Sequence, residues 1–409
     1  MSGFQGPVIN KLNGGFGGGE TSDRVAVFVA GADAIADTLV QYTAYELLQI
    51  EDLEARGITE ETDATKKELT HYHLSEVFRL SPETTVNIIT VPKTTKVSDL
   101  KADNDFIAAL RSIDGINTIG IAGLTDDATI QTAVQGAQLL VDLLDKDKIK
   151  IDTILFEGKG SHLTAALVAD YANLREFDSA AITPIWAQDP AIAAQDEAYA
   201  GHAAVGSALG MLMVRAIHEN LGSVDIEVKP NSRKAEETYS LTDTKTGRWL
   251  SAALSNGRKF ETLSGADQTK LDSLGYVYVG KFEGYAGYYF SNSHTCTTED
   301  NDYCFIERNA IWNKAARIIR TTLIPRIRGK VQTDPNTGYI KNTTITDWDG
   351  RVRKNLQTMQ NDGNIASFDI YIDPKQTAVS TKPFKVKVHL VADGIAHDFE
   401  IDLGFARSV

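Results

Sequence analysis

The sequence predicts an α/β fold, a mixed sheet layered with helices, with an extended N-terminal arm and a C-terminal β-hairpin arm. Three observations predict it. Short, wholly apolar runs alternate with amphipathic helical patterns through the first half of the chain, the signature of buried, largely parallel strands. The first 23 residues are glycine-rich with one apolar patch, Pro7-Val8-Ile9. The last forty switch to strict apolar–polar alternation, the period of a half-buried strand.

Taken in order, residues 1–23 cannot bury enough surface to order alone and form an arm. "RVAVFVAGAD" (24–33) reads as a buried strand ending in a glycine turn, with a helix over 34–48. "NIITV" (87–91), "NTIGIAG" (117–123), "IDTILFEG" (151–158) and "DSAAITPI" (178–185) are further strands. Helices are expected over 127–146, 161–175 and 201–222, the last rich in small residues and capped by Gly222. Residues 229–248 read as an exposed loop, and 275–291 as two antiparallel strands. A basic helix follows, then a turn at 334–340, another helix and a polar linker at 372–383. Phe384, Val386, Val388 and Leu390 then alternate with polar neighbours, as do Phe399, Ile401, Leu403 and Phe405. That is a hairpin with one apolar face, and a lone hairpin is marginal in water. The expected units are an arm (1–23), an α/β body (24–260), an inner domain with the basic helix (261–372), and a linker with hairpin arm (373–409).

With 409 residues, 42% hydrophobic and 23% charged, the chain is ordinary for a soluble globular protein. Its net charge of −14 argues against nucleic acid or an anionic membrane as partner. No apolar stretch is long enough to span a bilayer, and the N-terminus lacks signal-peptide architecture, so a cytoplasmic protein is expected. Cys296 and Cys304 share one loop and are expected as free thiols rather than a disulfide framework or zinc site.

No catalytic constellation emerges. Gly158-Lys159-Gly160-Ser161 lies between strand and helix but lacks the full phosphate-loop pattern. His71 and His73 sit two apart, poor co-ligands on a helix, and read as a solvated or half-buried face. His162, His202, His218 and His294 stand singly. Glu299, Asp300 and Asp302 lack the calcium-loop frame. No enzyme, cofactor or metal is expected.

The basic run is the exception. Arg308, Lys314, Arg317, Arg320, Arg326, Arg328 and Lys330 occur with no acid between them in an acidic chain. On a helical wheel Ile311, Ala315, Ile318, Ile319, Thr322 and Leu323 share one side and Lys314, Arg317 and Arg320 the other. Either this face is merely solvated, or it docks on an acidic partner whose carboxylates arginine can grip bidentately.

"YYFSNSHTCT" (288–297) and "DYCFIERNAIWNKAARIIRTTLIPRI" (302–327), followed by a helix and a terminal hairpin, resemble the C-terminal part of contractile tail sheath proteins. That family serves contractile-tailed bacteriophages, type VI secretion machines and related injection systems. The small-residue helix at 201–222 and the arm with Val8 and Ile9 also resemble family elements. The Cys-to-Cys acidic loop interrupts the family's polar turn at 291–295, and the chain is short, as a minimal divergent member would be. The resemblance implies a structural subunit, not an enzyme. Subunits would stack as sixfold rings in a helical sheath around an inner tail tube protein, contacting baseplate and tail terminator components. Contraction would drive the tube through a target envelope. Lys314, Arg317, Arg320, Arg326, Arg328 and Lys330 would face the tube. The arms carrying Val8, Ile9, Phe384, Val386, Val388, Leu390, Phe399, Ile401, Leu403 and Phe405 would exchange strands between subunits. Assembly would occur in the bacterial host cytoplasm, the product being a virion tail or injection particle. Deleting 384–409 would leave a folded monomer unable to polymerise. The alternatives are a nucleotide-using α/β enzyme, or another virion structural protein such as a tube or capsid subunit.

Overall fold

The computed structural model describes residues 23–35, 38–377 and 383–397. Strands β1 (Ala26–Gly31), β3 (Val86–Val91), β4 (Thr118–Ala122), β5 (Thr153–Glu157) and β6 (Ile182–Ile185) pair in parallel. Edge strand β2 (Ala44–Leu47) runs antiparallel to β3, giving the order β2-β3-β1-β4-β5-β6. The five parallel strands are almost wholly buried. That is why they read as unbroken apolar runs rather than alternating ones.

Short helices α1 (Ile50–Glu54) and α2 (Glu60–Lys66) precede α3 (Thr70–Leu80); α4 (Asn104–Arg111) and α5 (Ile130–Lys146) lie between later strands. The Thr129 hydroxyl accepts from the Thr132 N–H and so caps α5. After β6 come β7 (Ala187–Gln188), α6 (Pro190–Ala193) and α7 (Val205–Val214). Helix α7 lies on β4 and β5 and packs along α3. Its small residues permit the approach, since a Cβ added at Gly206 would stand 2.1 Å from the His73 carbonyl oxygen. Gly206→Ala is therefore expected to lose about 3 kcal/mol by overpacking, measurable as a shifted denaturation midpoint; an unshifted midpoint would mean the helices separate freely.

Several expected elements differ. The described residues of 34–48 hold no helix: Tyr42 takes a left-handed φ of 59°, and 44–47 satisfy the outer edge of β3 instead. Residues 161–175 form three separate 3₁₀ turns, because their backbone bonds across the chain. The Leu174 N–H donates to the Leu274 carbonyl, and the Tyr276 hydroxyl to that of Ala172. Helix α7 ends at Val214, where the buried Arg215 guanidinium donates to the Met211 and Ser223 carbonyls and draws the chain back. Gly222 is no helix cap but a close-packing point, 2.9 Å from two carbonyl oxygens were a Cβ present. The 229–248 segment is not merely exposed, for Tyr239 is buried and donates to the Leu80 carbonyl. His73 is buried, not half-solvated, whereas His71 pairs with Glu54 at 3.0 Å.

Strand β8 (Ala253–Leu254) pairs with β7, and after α8 (Gly265–Ser273) come the paired β9 (Val279–Gly280) and β10 (Tyr289–Phe290). A second apolar core gathers around α9 (Ile306–Leu323), α10 (Asn342–Asn361), β11 (Ser367–Ile372) and β12 (Val386–Val391). Trp348, Val352, Leu356 and Met359 form the buried stripe of α10. Strand β11, unexpected from the sequence, pairs antiparallel with β12 in the register Ile370↔Val388. Phe384, Val386, Val388 and Leu390 thus pack against this core. Deleting 384–409 would strip it, which corrects the expectation of an intact monomer. Val8, Ile9, Phe399, Ile401, Leu403 and Phe405 lie outside the described residues.

Candidate assembly surface

Helix α9 is anchored at its start by a buried polar cluster. The Ile306 N–H donates to the Ser293 carbonyl at 3.0 Å and the Ser293 hydroxyl to Glu307 Oε2 at 2.5 Å. The Asn220 amide reaches Asn292, Ser293 and Glu307 at 2.9, 2.7 and 3.1 Å. Burial raises the Glu307 carboxyl above its ordinary range, and these donors only partly oppose it. The polar turn 291–295 is therefore the socket of the helix. His294, also buried, lies between Asp272 at 2.5 Å and the Arg175 guanidinium at 3.1 Å. Glu299 of the acidic loop closes on Arg175 at 3.4 Å. Cys296 and Cys304 are free and buried, and burial pushes both thiols up.

About two turns further, α9 crosses the foot of β5. The Asn313 amide donates to the Ile151 carbonyl and to Asp152 Oδ1, each at 2.9 Å, and Arg317 reaches the same oxygen at 3.3 Å. Asp152 is fully buried, and its carboxyl is raised to about 6: burial dominates, while Arg317 and Arg24 pull it back. Asn309 and Asn313, four apart and on the same side of the helix as Arg317 and Arg320, are the residues that mark this seam in the sequence.

The basic residues separate into two groups. Lys314 bonds Asp23 at 2.5 Å and Asn364 at 2.7 Å, Arg317 holds Asp152, and Arg326 stands 3.7 Å from Asp347. Their counter-charges lie on this chain, correcting the expectation that all of them lie on a partner. Arg320, Arg328 and Lys330 are exposed and have no ion pair among the described residues. Beside them Ile324 and Ile327 are 45% and 67% exposed. Arg308 lies within the helix, with its guanidinium over the Phe305 ring. One turn on from Arg308, Trp312 is exposed and carries the Lys150 ammonium 4.9 Å above its ring.

Among the described residues no cluster of metal-ligating side chains occurs, and no helix is long and apolar enough to cross a membrane.

No curated protein matches the chain in sequence. Among solved structures, a chain of the sixfold-symmetrised anti-feeding prophage baseplate superposes with a TM-score of 0.59 at 13% identity, covering 99% of both chains. A chain of the same baseplate in its contracted state gives 0.53 at 11% identity, with 100% of both covered. The sheath tail protein of Desulfitobacterium hafniense gives 0.52 at 9% identity, covering 95% of this chain and 100% of that one. The fold is that of a contractile tail sheath protein, as the resemblance in its last third implied. Residues 4–294 match the family described as DUF2586, N-terminal domain, and residues 302–409 match DUF2586, C-terminal domain, the boundary falling just before α9. The chain belongs to the DUF2586 family.

Proposed function

We propose that the chain is the structural, non-enzymatic subunit of a contractile sheath. It stacks as sixfold rings around an inner tube in a virion tail or injection particle, and contracts to drive the tube through a target envelope. The observation that carries this reading is the free cationic end of α9. Arg320, near the end of a helix whose start is fixed in the body, and Arg328 and Lys330, just beyond that helix, are exposed and without an ion pair among the described residues, on a chain with the sheath fold. Exposed ion pairs contribute only ~0–1 kcal/mol each and are screened by salt. Many such contacts per ring hold a tube without trapping it. Lys314, Arg317 and Arg326 adjoin the same surface while bound to their own acids. The exposed outer edge of β12 and the segments beyond it are the proposed sites of strand exchange, since backbone pairing tolerates rigid movement of the domains it links. Likeness to baseplate chains favours contact with baseplate components as well.

Arg320→Glu, Arg328→Glu and Lys330→Glu together are expected to leave the melting temperature within a few degrees, as exposed substitutions do, and to abolish ridged cylinders on the tube in negative-stain images. Normal assembly by this triple variant would overturn the tube-facing assignment. Truncation after residue 397 keeps every described residue of both apolar cores and is expected to give monomers by light scattering; full-length polymers from it would remove the C-terminal arm from the scheme. Smooth thin tubes or shells from the purified chain would instead favour another virion component.

A further inference from the structure

Trp312 on α9 is 42% exposed, whereas Trp186, Trp249 and Trp348 are all buried. At 3.6 residues per turn, Arg308, Ala316, Ile319 and Leu323 lie within about 40° of it around the helix. Ile319 and Leu323 are half-buried against the second core, so Trp312 carries their apolar side out into solvent. Tyr303 meets its ring edge-on, with centroids 6.1 Å apart. An open indole bordered by arginines has the composition of an interface anchor.

The charge around it is mostly positive. Lys150, above the ring, is held by Asp145 at 2.5 Å, and Asp302 adjoins Tyr303. Arg308 and Arg320 border the face and have no ion pair among the described residues. The occupant that suits it is therefore both apolar and acidic.

Such a segment starts at this helix. Residues 392–397 form no ladder with β12. The His397 ring stacks on Phe305, the residue that opens α9, with centroids 4.8 Å apart and planes 21° apart. The Arg308 guanidinium stands 5.4 Å from the centroid of that same Phe305 ring. The chain thus continues from beside Arg308, one turn before Trp312. Its next residues are Asp398-Phe399-Glu400-Ile401-Asp402-Leu403-Gly404-Phe405, in which three carboxylates and no base alternate with apolar side chains. Extended, these eight reach about 26 Å, while Arg308 to Arg320 measures about 18 Å along the helix. An extended segment turns alternate side chains to opposite faces. Its apolar face suits Trp312 and Ile319, and the long arginine stems reach along its edges to the carboxylates.

We propose that residues 398–405 seat on the Trp312 face of α9 in their own chain, so that the unassembled chain covers this face with its own C-terminal segment. A short tether gives a local concentration on the order of millimolar, so a weak contact is enough. The proposal goes beyond the sheath reading and stands without it. Where the chain does assemble, the seated segment shields Arg320 and is itself withheld from a neighbour until it is released.

Acrylamide quenching of tryptophan fluorescence in the full chain tests this, with Trp312→Phe to isolate the share of Trp312 and light scattering to identify monomers. Trp312 is expected to be shielded in the monomer, equally at every step of a dilution series, because a tethered contact is independent of concentration. Truncation after residue 397, and separately the combined Asp398→Lys, Glu400→Lys and Asp402→Lys, are each expected to raise quenching at Trp312 about twofold as the face empties. These substitutions lie outside both cores and leave the fold in place. No rise in either variant would overturn the proposal. So would shielding that fades on dilution or is confined to polymers, which would give the face to a second copy or another partner.

Discussion

Replacing Glu76 by alanine is expected to destabilise the chain by about 3–5 kcal/mol, the usual loss when one member of a buried ionic cluster is removed. Glu76 is 1% exposed on α3. Its two oxygens grip the Arg79 guanidinium at 2.8 and 2.7 Å. Oε2 also accepts from the Ser207 hydroxyl on α7 at 2.8 Å and from the Trp249 indole at 3.2 Å. One carboxylate thus ties together α3, α7 and the segment that carries the buried Trp249. For a chain of 409 residues the variant's melting temperature should fall by roughly 3–6 °C; an unchanged melting temperature would show that the cluster contributes no net stability. Burial pushes this carboxyl up, but Arg79 and Ser207 outweigh it and hold it below the ordinary glutamate value. Its contribution is therefore present above the unfolded-state value and lost only as pH falls through the lower folded one.

Asp152 has the opposite sign. With its carboxyl raised from 3.8 to about 6 in the fold, the folded chain binds a proton that the unfolded chain releases between those values. Its share of stability consequently falls as pH rises from about 4 to 6, by on the order of 3 kcal/mol. Asp152→Asn keeps an acceptor for the Asn313 amide and removes the titration. The difference in denaturation midpoint between wild type and variant should change across that window and flatten above pH 7. A constant difference from pH 4 to 7 would mean that Asp152 titrates normally. Asp152→Ala also removes the hydrogen bonds, and at neutral pH should be clearly less stable than the asparagine variant.

The parallel strands were legible because complete burial writes them as apolar runs, and the small residues of α7 because close approach of helices admits nothing larger. What escaped was set by distant residues. The 161–175 segment has a helical pattern, but its backbone groups bond to residues 272–276. Strand β2 exists because β3 has an edge to satisfy. The helical wheel of α9 separated apolar from basic correctly, yet periodicity carries no information about Asp23 or Asp152, which sit 291 and 165 residues away. Nor could it show which of the basic residues pair within the chain. The socket at 291–295 was visible as a polar turn, and its role became visible only with Asn220 and Glu307 beside it.

Helix α9 belongs to both apolar cores: Ile306 to the first, and Ala310, Ile311 and Ala315 to the second. Its 18 residues make a rod about 27 Å long, clamped at its start by Ser293 and Asn220 and pinned again about two turns on by Asp152. A rod held at two points turns with the body that holds it. A body rotation of about 10° carries its tip roughly 5 Å, more than the separation that defines an ion pair. Arg320, near that tip, therefore sits where a small turn of the body becomes a large displacement.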